Sequence, residues 1–122
     1  MKHVDTIILV EDIHRSKAFY IDVIGLEILH DWDAMVVFKD RFSIHQADRV
    51  LPEHETAQIF RKGKQGQGNV ILYFEVDNLQ TAYTDMQVKG VDIIHGIVQL
   101  PHQKIFKIAD PDGHIIEIGE PF

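Results

Sequence analysis

The sequence contains an internal repeat, which constrains the fold more than any other feature. Residues 7–13 (IILVEDI) and residues 73–79 (YFEVDNL) align with Val10 opposite Val76. In each copy a β-rich run ends in polar residues, and a helical pattern follows that closes at a glycine, Gly25 or Gly90. Such self-similarity predicts two copies of one supersecondary unit. If the copies pack face to face, corresponding strand positions surround one cavity, where a site would lie.

Each copy predicts a strand, a helix and three further strands. Asp12 and Asn78 are the expected helix N-caps. The strands are too numerous to be separated by helices, so a doubly wound parallel fold is excluded and mostly antiparallel pairing is expected. We therefore predict an α+β fold of two tandem βαβββ modules that form a cupped sheet around a cavity. One domain spans residues 1–122, with module 1 at about 3–46, a linker at 47–69 and module 2 at about 70–120.

Composition excludes several classes of function. A net charge of -7 argues against nucleic-acid binding, which depends on Lys and Arg side chains that neutralise phosphates. No apolar stretch approaches the length of a membrane span, and no signal peptide is recognisable, so a cytoplasmic location is expected. The absence of cysteine excludes disulfides and thiolate chemistry.

Superposing the two copies brings candidate metal ligands together. When the first strands of the two copies are aligned, Asp5 corresponds to Ile71. When the turns before the last strands are aligned, His45 corresponds to Glu117. Two carboxylates and one imidazole suit a divalent ion such as Mn²⁺, Fe²⁺, Ni²⁺ or Zn²⁺, whereas an isoleucine cannot bind one. The alternative is structural: Asp5 caps a strand edge, His45 is a half-exposed strand residue, and Glu117 meets a lysine.

Further residues are predicted around the same cavity. Tyr73 and Glu75 share strand alternation with Ile71, so all three line one face. Tyr73 and His102, which precedes a strand at the expected cavity mouth, are candidates to assist proton transfer. His114 lies three positions from Glu117 and is expected to point away from it. The large aromatic residues on strands are candidates for the cavity wall, with a core position as the alternative for each: Trp32, Phe38 and Phe106.

Several segments resemble the vicinal oxygen chelate superfamily, which includes glyoxalase I, fosfomycin-resistance transferases, extradiol dioxygenases and bleomycin-resistance proteins. The first-module signature is similar to residues 10–20 (VEDIHRSKAFY) and 23–26 (VIGL). The second module is similar to residues 74–79 (FEVDNL) and 110–117 (DPDGHIIE). The resemblance implies paired βαβββ modules, a homodimer, a small-molecule ligand and, in the enzymes, a divalent metal.

The resemblance also assigns the metal-ligand positions one by one. Glu117 occupies the final-strand glutamate, whereas Asp5 and Ile71 stand where the family usually has histidine. The fourth position falls at His45, or at Ser43 if the register slips by two.

Two main hypotheses follow for the function. The first is a glyoxalase/bleomycin resistance/dioxygenase-like enzyme that uses a divalent metal, either Mn, Ni, Fe or Zn, to act on a small oxygen-rich substrate. The alternative is a metal-free protein of the same fold that sequesters a drug or metabolite. A third possibility is a degenerate module that serves only protein association.

Overall fold

The computed structural model describes residues 1–50, 68 and 70–121 of the chain. It divides into two compact units, Met1–Gln65 and Gly66–Phe122, and each contains one βαβββ set of elements. The predicted linker begins with a short 3-10 helix at Ala47–Arg49, while its positions 51–67 and 69 lie outside the described residues.

Both units contain the predicted order of one strand, one helix and three strands. In the first unit the elements are β1 (Thr6–Val10), α1 (Ile13–Phe19, continued by a π-helical turn at Tyr20–Ile24), β2 (Ile28–Asp31), β3 (Met35–Phe38) and β4 (Phe42–Gln46). In the second unit they are β5 (Ile71–Glu75), α2 (Leu79–Val88), β6 (Asp92–Gln99), β7 (Lys104–Ala109) and β8 (Ile115–Gly119).

Each unit builds one four-stranded sheet with the same topology. The strand orders are β1-β4-β3-β2 and β5-β8-β7-β6. In each sheet the first and last strands of the unit pair in parallel, and the other two pairs are antiparallel. The predicted α+β class with mostly antiparallel pairing is therefore confirmed.

The helices begin and end where the sequence predicts. The Asp12 carboxylate accepts hydrogen bonds from the backbone N–H groups of His14 and Arg15, at 3.0 and 3.2 Å. Asn78 accepts one from the N–H of Thr81 at 2.9 Å. Gly25 and Gly90 follow the helices with φ of 85° and 71°, a left-handed conformation that glycine adopts without strain.

One face of each sheet is buried against the helix of its own unit. In the first unit Tyr20, at the end of α1, packs on the rings of Phe38 and Phe42 with centroid distances of 6.1 and 5.1 Å. In the second unit Tyr83 of α2 meets Phe106 edge-on at 5.1 Å. Because strand side chains alternate between faces, the remaining positions lie on the opposite face, and these include most of the candidate site residues.

Removal of the Asp12 cap tests how much the first helix depends on it. We expect Asp12→Ala to lower the free energy of unfolding by about 1 kcal/mol, because two backbone N–H groups lose their acceptor. Asp12→Asn keeps an acceptor oxygen and should retain most of the stability. Urea denaturation of the three proteins measures this, and equal losses for Ala and Asn would contradict a capping role.

Candidate ligand-binding faces

A row of four polar side chains crosses the second sheet on the face opposite α2. Strand pairing aligns Tyr73 of β5 with Glu117 of β8, Glu117 with Lys107 of β7, and Lys107 with His95 of β6. Paired residues project to the same side of a sheet, so the first three side chains share one face. The register of β6 shifts on both sides of His95, but a Cβ at the next residue, Gly96, would meet Tyr83 of α2, so alternation places His95 on the same face as the other three. We call them the polar row. Ile71 and Glu75 lie on the same face, as predicted from their alternation with Tyr73.

Glu117 and Lys107 form an ion pair at the centre of the polar row. The Lys107 ammonium lies 3.2 Å from a carboxylate oxygen of Glu117, and the two side chains are only 24% and 21% exposed. A half-buried pair is screened by solvent less than a surface pair is. The structural alternative anticipated from the sequence, a lysine beside Glu117, is therefore confirmed.

Tyr73 is fixed by hydrogen bonds on both sides of its hydroxyl. The hydroxyl donates to Glu75 at 3.0 Å and accepts from the side-chain amide of Gln103 at 3.0 Å. Gln103 is itself buried, and the same amide nitrogen donates to the backbone carbonyl of Glu120 at 3.0 Å. The phenol ring is thus held in one position while 40% of the residue stays exposed.

Gly119 makes room for this arrangement. A Cβ atom at that position would lie 2.6 Å from the Gln103 amide nitrogen and 3.0 Å from the Tyr73 hydroxyl oxygen. Both distances are shorter than ordinary van der Waals contact. A larger residue at this position would therefore force Gln103 and Tyr73 to shift.

The surroundings of Tyr73 raise the pKa of its hydroxyl above the usual 10.0. The Gln103 hydrogen bond, the largest single influence, lowers the pKa. Partial desolvation and the nearby carboxylates of Glu75 and Glu117 act in the opposite direction and together outweigh it. Tyr73 is consequently neutral at physiological pH, and its hydroxyl serves as a hydrogen-bonding group.

The first sheet carries Asp5 and Ser43 on the face opposite α1. One carboxylate oxygen of Asp5 accepts a hydrogen bond from the buried Ser43 hydroxyl, and the other accepts the backbone N–H of Thr6 at 2.9 Å. His45 follows two positions along β4 on the same face, and its Nδ1 lies 3.1 Å from the carbonyl oxygen of Gln46. Asp5 therefore meets Ser43 at the strand edge.

Strand pairing makes Ser43 the counterpart of Glu117. Ile7 pairs with Ser43 in the first unit, and Tyr73, which corresponds to Ile7 in the repeat, pairs with Glu117 in the second. The alignment of His45 with Glu117 was therefore wrong by two residues. The physical reason is loop length: the β3–β4 connection comprises residues 39–41, whereas the β7–β8 connection comprises residues 110–114.

These positions do not fit the divalent metal that the superfamily implies. Among them, Asp5 and Glu117 offer carboxylates, but Asp5 is engaged by Ser43 and Glu117 by a lysine ammonium. Ile71 offers no ligand atom. Asp5 and His45 lie in the first unit and Glu117 in the second, so their predicted convergence stays a prediction.

A different group of ligand-type residues lies in the turn before β8. Single ligand atoms of Asp110, Asp112 and His114 all lie within 4.8 Å of one another. The Asp110 carboxylate accepts the backbone N–H groups of Asp112 and His114, at 2.9 and 2.8 Å, and its other oxygen lies 2.8 Å from His114 Nδ1. These contacts close the predicted turn. His114, expected to point outward, is buried, because it precedes β8 and pairs with Asp110.

Two of the predicted cavity aromatics belong to the hydrophobic core. Phe38 and Phe106 are fully buried on the helix-facing sides of their sheets, beside Tyr20 and Tyr83 respectively. Their strand alternation places them opposite the candidate faces, which corrects the prediction that they line a cavity. Trp32, by contrast, is 61% exposed, and its ring stacks on His30 at 5.0 Å.

The remaining predicted residue, His102, is exposed in the connection between β6 and β7. Its neighbour Gln103 contacts Tyr73, a role that the sequence did not indicate. Lys107 and Gly119 were missed as well. The signal for Lys107 was present, since it is the single charged residue within the apolar run IFKIA at 105–109.

The match to a family model covers almost the whole sequence. The model of the glyoxalase-like domain matches residues 3–122. The chain belongs to the glyoxalase-like family. The superfamily resemblance noted in the sequence is therefore confirmed. None of the curated proteins is similar enough to count as a match.

Solved structures of the same fold span the full chain. A protein of unknown function from Agrobacterium tumefaciens str. C58 is 37% identical, with a TM-score of 0.81 over 100% of this chain and 95% of that one. A lactoylglutathione lyase from Agrobacterium tumefaciens is 24% identical, with a TM-score of 0.72 over 96% and 91% of the two chains. A glyoxalase/bleomycin resistance protein/dioxygenase from Nocardioides is 16% identical, with a TM-score of 0.75 over 98% and 83%. At these last two identities the similarity shows the fold alone.

Within the described part of the chain, no helix is long and apolar enough to cross a membrane.

The close contact at Gly119 predicts a coupled effect on stability. Gly119→Ala should lower the free energy of unfolding by about 1 kcal/mol or more, because Gln103 and Tyr73 must move and lose hydrogen bonds. In a Gln103→Ala background the same substitution should cost less, since the nearest atom is gone. A double-mutant cycle by urea denaturation measures the difference, and strict additivity would contradict the contact.

The raised pKa of Tyr73 predicts a pH dependence at the alkaline end. The folded protein holds the phenol proton more tightly than the unfolded chain, so the stabilisation is complete below pH 10.0 and is lost as the pH rises through the folded-state pKa. In an ultraviolet titration of the three tyrosines, Tyr73→Phe should remove a component with its midpoint above 10.0. Loss of a component at or below that value would contradict the assignment.

Proposed function

We propose that this member of the glyoxalase-like family binds a small organic molecule and does so without a divalent metal. The binding surfaces are the faces of the two sheets that lie opposite the helices, which we call the open faces. The observation that carries the proposal is the polar row of the second sheet, where an ion-paired Glu117 and a fixed Tyr73 lie beside exposed apolar surface. The ligand is a small molecule, and the resemblance to the superfamily implies a homodimer.

The surface around the polar row has the composition of a ligand-binding site. Ile71 is 53% exposed and Tyr73 40%, and both lie on β5, at the edge of the second sheet. Exposed apolar groups grouped around a few oriented polar atoms are typical of small-molecule sites. Tyr73 and Glu75 supply oriented hydrogen-bonding atoms, and Ile71 supplies apolar contact.

The metal-free part of the proposal follows from the partners of the ligand-type residues. A carboxylate that binds Mn²⁺ or Zn²⁺ must be free to face the ion, and Glu117 instead faces an ammonium group. The Ser43 hydroxyl and the Thr6 backbone N–H each donate to one oxygen of the Asp5 carboxylate, which leaves fewer of its lone pairs free for an ion. An isoleucine at position 71 removes one more ligand.

A metal-dependent enzyme is the second candidate. Asp5 and His45 share one face of the first sheet, which supports a site that would also need Glu117, with His102 or Tyr73 to assist proton transfer. Its reaction would be that of a lyase, a transferase or a dioxygenase. In this case Mn, Ni, Fe or Zn would be the ion.

Elemental analysis separates the two candidates. Full-length protein purified without a His-tag is incubated with Mn²⁺, Ni²⁺, Zn²⁺ or Fe²⁺, dialysed and analysed beside Asp5→Ala and Glu117→Gln. We expect far less than stoichiometric metal in all three proteins. Near-stoichiometric metal in the wild type that is lost in both variants would overturn the metal-free proposal and establish the metal site that the enzyme candidate needs.

A ligand screen tests the binding proposal directly. Small carboxylates, amines, polyols and aromatic compounds are tested by thermal shift, and a compound that stabilises the protein is titrated by calorimetry. Tyr73→Ala should weaken its binding at least about tenfold, or roughly 1.4 kcal/mol, because the oriented hydroxyl and the ring are both lost.

The matched control for this screen is Val88→Ala. Val88 is 82% exposed on α2, away from the polar row, and its truncation should leave binding unchanged. If no compound stabilises the wild type, or if Tyr73→Ala binds as tightly as the wild type, the polar row is not the ligand site.

A further inference from the structure

We propose that the Lys107 ammonium takes the place of a divalent cation as the counter-charge of Glu117, and that removing it turns the polar row into a divalent-cation site. This inference rests on the metal-free part of the proposed function. It assigns to Lys107 the role of deciding whether the family's final-strand glutamate binds a metal.

The position of Lys107 gives the first argument. Strand pairing places it between Glu117 and His95, on the same face of adjacent strands. The Glu117 carboxylate lies 3.2 Å from the ammonium. His95 is paired with Lys107 on the neighbouring strand, about 4.8 Å away between backbones, and its Nδ1 lies 2.8 Å from the carbonyl oxygen of Gly96. Both flanking groups are of the types that bind first-row divalent ions. With a neutral residue at position 107, the Glu117 carboxylate and the His95 imidazole would have no ammonium between them.

Electrostatics gives the second argument. An ion bound to Glu117 would lie within a few ångströms of the ammonium, which is 3.2 Å from the same carboxylate. Both side chains are about three-quarters buried, so solvent screens the like-charge repulsion only in part. A divalent ion must therefore displace the ammonium before it can bind to Glu117.

The Lys107 ammonium also supplies a positive charge on this face of the second sheet without a metal ion. A lysine ammonium has three N–H donors, and its contact with Glu117 engages one of them. The other donors can be offered to an oxygen atom of a ligand, which is the contact that a metal ion would otherwise make. Glu117 in turn is neutralised, so the half-buried carboxylate is not left as an uncompensated charge.

The test is a metal titration of four full-length proteins purified without a His-tag. These are the wild type, Lys107→Met, the double variant Lys107→Met/Glu117→Gln, and Lys104→Met. Lys104 lies on the same strand and is exposed, so its substitution removes the same charge while leaving the polar row intact. Mn²⁺ binding is followed by electron paramagnetic resonance, and Zn²⁺ binding by calorimetry.

We expect Lys107→Met to bind Mn²⁺ or Zn²⁺ at least about tenfold more tightly than the wild type, because the competing ammonium is gone. The gain should disappear in the double variant and be absent from Lys104→Met. Lys107→His, which adds a third ligand between Glu117 and His95, should bind Zn²⁺ at least as tightly as Lys107→Met. It also keeps the test available if Lys107→Met does not fold.

Three results would overturn the inference. They are a failure of both Lys107 variants to gain affinity, a gain that persists without Glu117, and an equal gain in Lys104→Met. A wild type that already binds metal through Glu117 would overturn both this inference and the metal-free proposal. A wild type that binds neither metal nor any small molecule would overturn only the proposed function, and the titration of Lys107→Met would still be decisive.

Discussion

The burial of one face of each sheet beneath its own helix is the constraint on which the rest of the structure depends. In the first unit Tyr20 reaches from the end of α1 to Phe38 and Phe42, and in the second Tyr83 of α2 meets Phe106. Apolar burial at these positions fixes which way every strand faces. Once the faces are fixed, alternation sends Asp5, Ser43 and His45 to one side of the first sheet, and the polar row to the corresponding side of the second.

The open faces show how a repeated unit diverges while its framework is kept. Both units have the same strand order, similar caps and a glycine after the helix. At the corresponding positions on the open faces, however, the first sheet has Asp5 and Ser43, whereas the second has Ile71 and Glu117. Because none of these side chains belongs to the apolar packing between a sheet and its helix, they can differ between the units while that packing is kept, and function within a fold is decided at such positions.

The ion pair between Lys107 and Glu117 is the contact on which the proposed metal-free function depends. A half-buried carboxylate needs a counter-charge, and either a metal ion or an ammonium group can supply it. The ammonium is part of the chain and is present whatever the supply of metal. The Tyr73 hydroxyl is likewise fixed by the chain itself, because the hydrogen bond from Gln103 and the close packing at Gly119 hold the phenol in one orientation. A group that is already ordered lowers the entropic cost of binding a ligand.

The sequence by itself determined the repeat, the α+β class, the helix caps, the terminating glycines and the shared face of Ile71, Tyr73 and Glu75. Each of these depends on local residue preferences or on the two-residue period of a strand, which can be read along the chain. Only the tertiary structure decided that Ser43 rather than His45 corresponds to Glu117, because a longer loop in the second unit shifts the register. It also decided that Phe38 and Phe106 face the core, and that Lys107, Gln103 and Gly119 surround Glu117 and Tyr73. These contacts join separate elements whose pairing depends on loop length and packing, so a local pattern such as the single lysine in IFKIA can mark a residue but cannot specify its partner.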